Sequence, residues 1–429
     1  MPNRTDAPAR RFAWAGRSYL IQTGATVVSG LGNAGAPIAT AFAVLAMGGG
    51  ATGIGSVIAA RLLATVLFLL LGGAVADRLP RHRVMVAANV GNALSQGVLA
   101  ALVLSGSARL WEVVLLSAAG GVGQAFFTPA AEGVIMESVD QRQAPRAFAL
   151  FRTAMNSSQI GGAALGGAMV AAVGPGWVLA LDACCFAAAG ALRLLLRAPA
   201  PAARPAGPGL LAELRDGWRE FASRRWLWTV VVQYGVVNTC LIAAESVLGP
   251  IVADQRLGGA RPWGLANAAM GVGLVLSGLL LVRRQPRRIL LAGNVGMLLF
   301  ALPAAALAAG APLPVLAWAM FASGTGGTLF GVSWMIALQQ EIPAAKFSRV
   351  AAYDWCGSVA LAPVGTALAG PLAGGLGLSG ALWACAGLMT LLSLLVLAVP
   401  EVRRLTRSPA IGTVGEVTAT QAVPETATA

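Results

Sequence analysis

This sequence is poor in charge, and poorer still in the residues that most often do chemistry. Charged side chains make up 11% of its 429 residues, against roughly a quarter in an ordinary soluble domain. It has one lysine, Lys346, and one histidine, His82. A single histidine, placed in a polar turn, excludes both a histidine-based catalytic centre and a histidine proton relay inside the apolar segments. The five cysteines, Cys184, Cys185, Cys240, Cys356 and Cys385, all fall in apolar runs. They lack zinc-type spacing and predict neither a metal site nor a disulfide framework. No phosphate-cradling Gly-rich loop ending in Lys-Ser or Lys-Thr occurs, which excludes ATP-driven work by this chain. No enzyme activity and no cofactor are expected.

What the chain has instead is apolar length: 57% of it is hydrophobic, in runs of ~20 residues, the length of a bilayer-spanning helix. The runs are continuous rather than alternating, which argues for helices and against a β-barrel. The formal net charge of +13 would suggest nucleic acid in a soluble protein. In a membrane protein the same excess gathers in cytoplasmic loops, so the lipid bilayer is the expected partner and nucleic acid is not. Arg4, Arg10 and Arg11 precede an apolar run from Tyr19 to Met47. That run is longer than the core of a signal peptide and reads as a first span.

Twelve spans are predicted, over Gly16–Met47, Thr52–Ala76, Val84–Ser105, Leu110–Glu137, Pro145–Val173, Trp177–Leu196, Trp226–Ala253, Pro262–Val282, Ile289–Ala309, Leu313–Gln340, Val350–Gly375 and Leu378–Val399. They define an arm at 1–15, a six-helix bundle at 16–197, a linker at 198–225, a second six-helix bundle at 226–400 and a disordered polar tail at 401–429. The linker opens with Pro/Ala/Gly-rich sequence. It continues as a basic amphipathic stretch with Leu210, Leu211, Leu214, Trp218 and Phe221 on one face, a pattern that lies in the membrane interface. One set of alternate loops holds Arg78, Arg81 and Arg83, Arg142 and Arg146, Arg193 through Arg225, Arg283 through Arg288, Lys346 and Arg349, and Arg403 through Arg407. The other set holds only Arg109, Arg256 and Arg261. This asymmetry places both termini in the cytoplasm of a multi-pass cell-membrane protein. An internal repeat supports two parallel halves: laying Ala119 on Ala322 also aligns Gly121 with Gly324, Gly123 with Gly326, Gly162 with Gly365 and Gly167 with Gly370.

The turn Gly73-Ala-Val-Ala-Asp77-Arg78-Leu-Pro80-Arg81-His82-Arg83 resembles the G-x-x-x-D-R-x-G-R-R/K signature of the major facilitator superfamily, with Pro80 in place of the second glycine. Within that superfamily the chain resembles the drug, macrolide and enterobactin exporter branch. The resemblance rests on Ser29-Gly-Leu-Gly32, Ala59-Ala-Arg61, Ala125-Phe-Phe-Thr-Pro-Ala130 and Asp182-Ala-Cys-Cys-Phe186. Asn33 and Asn89 stand where the branch often has an aspartate. The glycine-rich Gly161–Gly167 lacks the proline of the antiporter motif.

The resemblance implies two pseudo-symmetric bundles that rock about a central site. It also implies a small, largely apolar organic substrate, export driven by inward proton flow, and a monomer. Gly73, Asp77, Arg78, Arg81 and Arg83 would form a gating latch, with Asp77 at the positive end of the eleventh span and the arginines pairing with Glu137 or Asp354. Uptake of a small solute, or a non-transporting sensor or scaffold on the same fold, remain open from the residues alone.

A charge near the bilayer centre costs roughly 2.5–3.5 kcal/mol, which makes Arg61, Glu132, Arg152, Asp182 and Glu245 candidates for ion coupling. Glu245 is the foremost of them, while Arg61 with Asp182 or Glu132 reads equally as a structural ion pair. Gln22, Asn33, Phe126, Phe127, Asn238, Trp334 and Trp355 are candidate cavity residues. The glycine-rich faces signal close helix packing.

Overall fold

The computed structural model describes residues 16–137, 139, 144–196, 210–283 and 286–406. The arm at 1–15, the linker stretch 197–209 and the tail from 407 lie outside the described residues. So do the side chains of Gly73, Asp77, Arg78, Glu132, Glu137 and Arg152.

In an apolar solvent every backbone N–H and C=O must be satisfied within the chain, and the long Ala/Leu/Val/Gly runs do this as helices. The first half holds α1 (Arg17–Ala46), α2 (Ala51–Arg78), α3 (Arg81–Leu104), α4 (Leu110–Glu137), α5 (Ala144–Val173) and α6 (Pro175–Leu194). After α7 (Leu210–Ser223), the second half begins with α8 (Arg225–Ile242), which runs on through π-helical turns at Ala243–Leu248 and Ala253–Leu257 and the short α9 (Gly249–Val252) between them. Then come α10 (Ala260–Arg283), α11 (Ile289–Leu298), α12 (Ala301–Ala308), α13 (Leu313–Glu341), α14 (Ala344–Val359), α15 (Ala362–Leu397) and α16 (Pro400–Arg404).

Ten helical stretches are long and apolar enough to cross a membrane, and Ser157–Val173 of α5 is a shorter apolar segment. The stretch Tyr353–Leu397 turns at Gly377, whose φ of +73° suits a residue without a Cβ. It is therefore two crossings, and the tally agrees with the twelve predicted. The signature turn is shorter than its sequence suggests: α2 continues to Arg78 and α3 starts at Arg81. Pro80, with its fixed φ and no N–H to lose, caps the new helix.

The repeated glycines hold equivalent places in the two halves. A Cβ on Gly121 would strike the backbone of α2 at Arg61, and one on Gly324 the backbone of α10 at Met270. Gly162 lies against α1 at Leu31, and Gly365 against α8 at Thr239. Gly167 and Gly370 reach across to the opposite half, the former onto Gly264 of α10 and the latter onto Thr52 of α2. The repeat is thus a repeat of close helix approaches, and two of them join the halves.

Those crossings, together with Gly55 on the Thr366 carbonyl, lie at the arginine-poor end of the molecule. The main apolar cluster runs through both halves there, from Ile38, Phe42 and Val44 to Val247 and Trp263. Toward the arginine-rich end the first half keeps separate clusters of its own, around Val84, Met85 and Val134 and around Tyr19, Ala147 and Phe151. The eleventh crossing is interrupted between α14 and α15, because Pro363 has no N–H for the carbonyl of Val359. Both segments pack on α8; α15 packs in addition on α2 of the other half and on α11 and α12 of its own, whereas α14 packs on α7 and α13.

The amphipathic linker helix is docked. Glu220 of α7 accepts a hydrogen bond from the lone lysine, Lys346, at 2.9 Å and pairs with Arg224 at 2.7 Å. The bond from Lys346 holds the Glu220 carboxyl below the usual carboxylate range. Phe221 is buried, and its ring lies 6.0 Å from that of Tyr353 on α14.

Candidate functional site

Two adjoining hollows lie between the halves at mid-depth. The larger, of about 380 Å³, is lined by Asn33, Pro37 and Ala34 of α1, Gln159 and Ile160 of α5, Glu245 and Ser246, and Trp263, Asn267 and Met270 of α10. The smaller, of about 260 Å³, is lined by Arg61 of α2, Ser117 of α4, Ile242 and several apolar side chains, and shares Pro37 and Ser246 with the first. The walls are apolar, with a few polar groups set into them, as in most small-molecule sites.

Glu245 is there because its helix is wound differently at that point. Pro250 has no N–H to offer the carbonyl of Ser246, so the ladder slips, and the N–H of Gly249 reaches back five residues to Ala244. The result is a π-helical turn, a local device that re-aims side chains and recurs at functional sites. It puts Glu245 on the cavity wall with Oε1 buried and without a hydrogen-bond partner among the described residues. Gly249 accommodates the indole of Trp263, with Cζ2 at 2.6 Å from where a Cβ would stand.

Behind the opposite wall is a buried polar layer. Arg61 donates from Nη2 to Oδ1 of Asn33 at 3.1 Å. The fully buried carboxyl of Asp182 on α6 lies within electrostatic range of Arg61 and beside Gln96 of α3. Gly32 makes room for it, since a Cβ there would stand 2.8 Å from Asp182 Oδ1. Asn89 and Asn92 of α3 are buried in the same bundle. Asn33 therefore both lines the cavity and holds Arg61. The expected ion pair is not formed as a contact among the described residues: the Arg61 hydrogen bond goes to the Asn33 amide, and the Asp182 carboxyl stays within electrostatic range without bonding it.

The other predicted cavity residues fall elsewhere, most of them with their polar or aromatic group occupied. Gln22 is buried inside the first half, accepting from Arg193. Phe127 lies under the Arg193 guanidinium, 4.7 Å from ring centre to Cζ. Phe126 faces a lateral groove with Val75 and Gly123. Asn238 donates to the carbonyl of Ser358 at 3.1 Å, bracing α8 on α14. Trp334 donates from Nε1 to Asp354 at 3.0 Å and belongs to a ring stack with Phe330, Tyr234 and Trp226. Trp355 is exposed. Asp354 is thus held within its own half in this state. Of the other latch residues, Arg81 is partly buried and Arg83 exposed at the start of α3.

Arg193 corrects the sequence reading. Counted there among the loop arginines, it is fully buried in the last turn of α6. It donates from Nε to Gln22 at 3.1 Å and from Nη2 to Thr26 at 3.0 Å, and Nη1 has no hydrogen-bond partner among the described residues. The signal was available: Asp182, Phe186, Ala189 and Arg193 fall at helical spacing on the one buried face of α6. Gln159 and Asn267 were also missed, although an amide inside an apolar span is itself a pointer to a cavity. Among the described residues no cluster of His, Cys, Asp or Glu could hold a metal ion.

Two parallel six-helix halves, closed on each other at one end around a mid-depth polar cavity, define a membrane transporter rather than an enzyme or channel. The sequence profile of the Major Facilitator Superfamily matches residues 23–360, and the chain belongs to that family. It is 27% identical over 395 residues to the multidrug efflux pump Tap of Mycolicibacterium fortuitum, a match covering 89% of this chain and 95% of that protein. It is 25% identical over 346 residues to the uncharacterised MFS-type transporter YfiS of Bacillus subtilis, covering 76% of this chain and 79% of the relative. Among solved structures, a bacterial homologue of the human lysosomal transporter Spinster, in an inward-facing and unoccupied conformation, superimposes with a TM-score of 0.70 at 15% identity. That match covers 94% of this chain and 99% of the other and speaks to the fold alone.

Proposed function

We propose that this chain is a proton-coupled exporter of small, largely apolar organic molecules, working by alternating access. The observation that carries the reading is Glu245: an unpartnered carboxyl, aimed by a π-turn into a cavity between the two halves whose other polar groups are neutral. A carboxyl so placed can hold either a proton or a polar group of the substrate, which is the exchange that antiport needs. The likeness to a multidrug efflux pump favours export over uptake. In this reading the proton gradient is the only energy source, the working unit is a monomer in the cell membrane, and both termini face the cytoplasm. The arginine-poor end, where the halves meet, is then the outer one, and the signature turn around Asp77, Arg78 and Arg81 engages the start of α14 when the cytoplasmic side closes.

The test is expression in a drug-sensitive bacterium challenged with a panel of lipophilic antibiotics and dyes, followed by flux in inverted vesicles. The expected result is resistance to a subset of the panel and movement of those compounds into inverted vesicles that collapses when a protonophore is added. Protonophore-insensitive uptake of a small solute would support a permease. No flux of any compound would support a non-transporting role.

A further inference from the structure

We infer that α7 carries a binding surface for anionic phospholipid headgroups, and that its occupancy is passed to α14, the segment it packs on at the arginine-rich end. The inference concerns this helix and stands apart from the identity of the transported substrate.

The exposed side chains of α7 fall at helical spacing on one face. Arg215, Trp218, Arg219 and Ala222 are exposed, while Gly217 and Phe221 are buried against the protein. The exposed face thus presents an indole, 53% exposed, between two guanidiniums, and the exposed Arg225 follows at the start of α8. Tryptophan and arginine prefer the headgroup level of a bilayer for different reasons, an amphipathic ring in one case and charge in the other. Anionic lipid attracts juxtamembrane arginines over about a Debye length. Of the acids in the α7 sequence, Glu220 is turned inward and already paired with Lys346 and Arg224, while the side chains of Glu213 and Asp216 lie outside the described residues. The charge complement of this face is a negatively charged membrane surface.

The coupling runs through the other side of the same helix. Trp218 touches the exposed face and also stands edge-on to Tyr353, 5.5 Å between ring centres. Phe221 packs on that ring as well, and Glu220 holds Lys346 in the first turn of α14. Tyr353 is followed by Asp354, which holds Trp334, and α14 is separated from the rest of its crossing by the break before Pro363. A helix pulled into the headgroup layer therefore pulls on α14 through these contacts.

The test is hydrogen exchange by mass spectrometry on the full chain in nanodiscs of phosphatidylcholine, with and without phosphatidylglycerol. Phosphatidylglycerol should slow exchange in 210–223 roughly fivefold or more and change exchange in 344–359 with it. Arg215→Gln/Arg219→Gln should remove both effects. Glu220→Gln should keep the first and weaken the second. The inference is overturned if phosphatidylglycerol leaves 210–223 unchanged, or if the double variant responds like the parent. It is equally overturned if inorganic phosphate in phosphatidylcholine discs has the same effect, or if 344–359 never responds.

Discussion

Gly370→Val should deplete the described state about a hundredfold and slow transport in proportion, while Gly374→Val should do neither. Gly370 lies directly against the backbone of Thr52 in the other half, and Gly374 has open space where a Cβ would be. A valine at 370 cannot be relieved by a rotamer change, because its neighbour is main chain. Overpacking of this kind costs about 3 kcal/mol, and nearly all of that falls on the contact between halves. Each half should therefore keep its own thermal stability while the arginine-poor end is forced open. The internal repeat extends the prediction: Gly167→Val, set against Gly264 and the Ala260 carbonyl, should behave like Gly370→Val. Labelling of the cavity from each side of the membrane, alongside thermal unfolding of purified protein, separates this outcome from general misfolding. Normal cavity access and transport in Gly370→Val would contradict it.

Asp182→Asn should destabilise the first half by about 3–5 kcal/mol, and Asn33→Asp should restore most of the loss. Asp182 is the carboxyl described within electrostatic range of Arg61, which is half-buried on the wall of the smaller hollow. Neutralising it leaves the guanidinium in an apolar span without that counter-charge, the costly way to break such a pair. Asn33 already accepts from Arg61 Nη2 at 3.1 Å, so an aspartate there delivers a carboxylate to the right atom without moving the backbone. The measurement is thermal unfolding in detergent of the single variants and the double variant. Equal unfolding temperatures for Asp182→Asn and the parent would show that the pair contributes little. Failure of Asn33→Asp to help would show that position 182 matters for shape rather than charge.

The two-bundle fold was legible in the sequence because membrane physics leaves few choices: continuous apolar runs must be helices, and arginine-rich loops alternate with arginine-poor ones. The glycine matches of the internal repeat mark close helix approaches, since glycine's lack of a Cβ is the property both patterns share. Glu245 could be picked out by cost alone, as a carboxyl that an apolar span tolerates only with a reason. Its aim could not, because a π-turn depends on how one carbonyl copes with the missing N–H of Pro250. The aromatic candidates went astray for a related reason. An aromatic residue in a span is as useful to packing as to a ligand, and Trp334 and Phe127 are engaged by Asp354 and Arg193. Arg193 shows the limit of counting charges near a span's end: the helical face, rather than the distance from the loop, decides whether a charge is buried. The signature turn gave the family directly, yet its key side chain, Asp77, lies outside the described residues.

In the proposed mechanism the proton is exchanged at Glu245 on the cavity wall. In proteoliposomes carrying a compound that the parent exports, Glu245→Gln should abolish accumulation driven by an imposed pH gradient. The same variant should still equilibrate that compound down its own concentration gradient, because the amide keeps the shape of the wall and loses only the titration. Gradient-driven accumulation by Glu245→Gln at the parent's rate would contradict the claim.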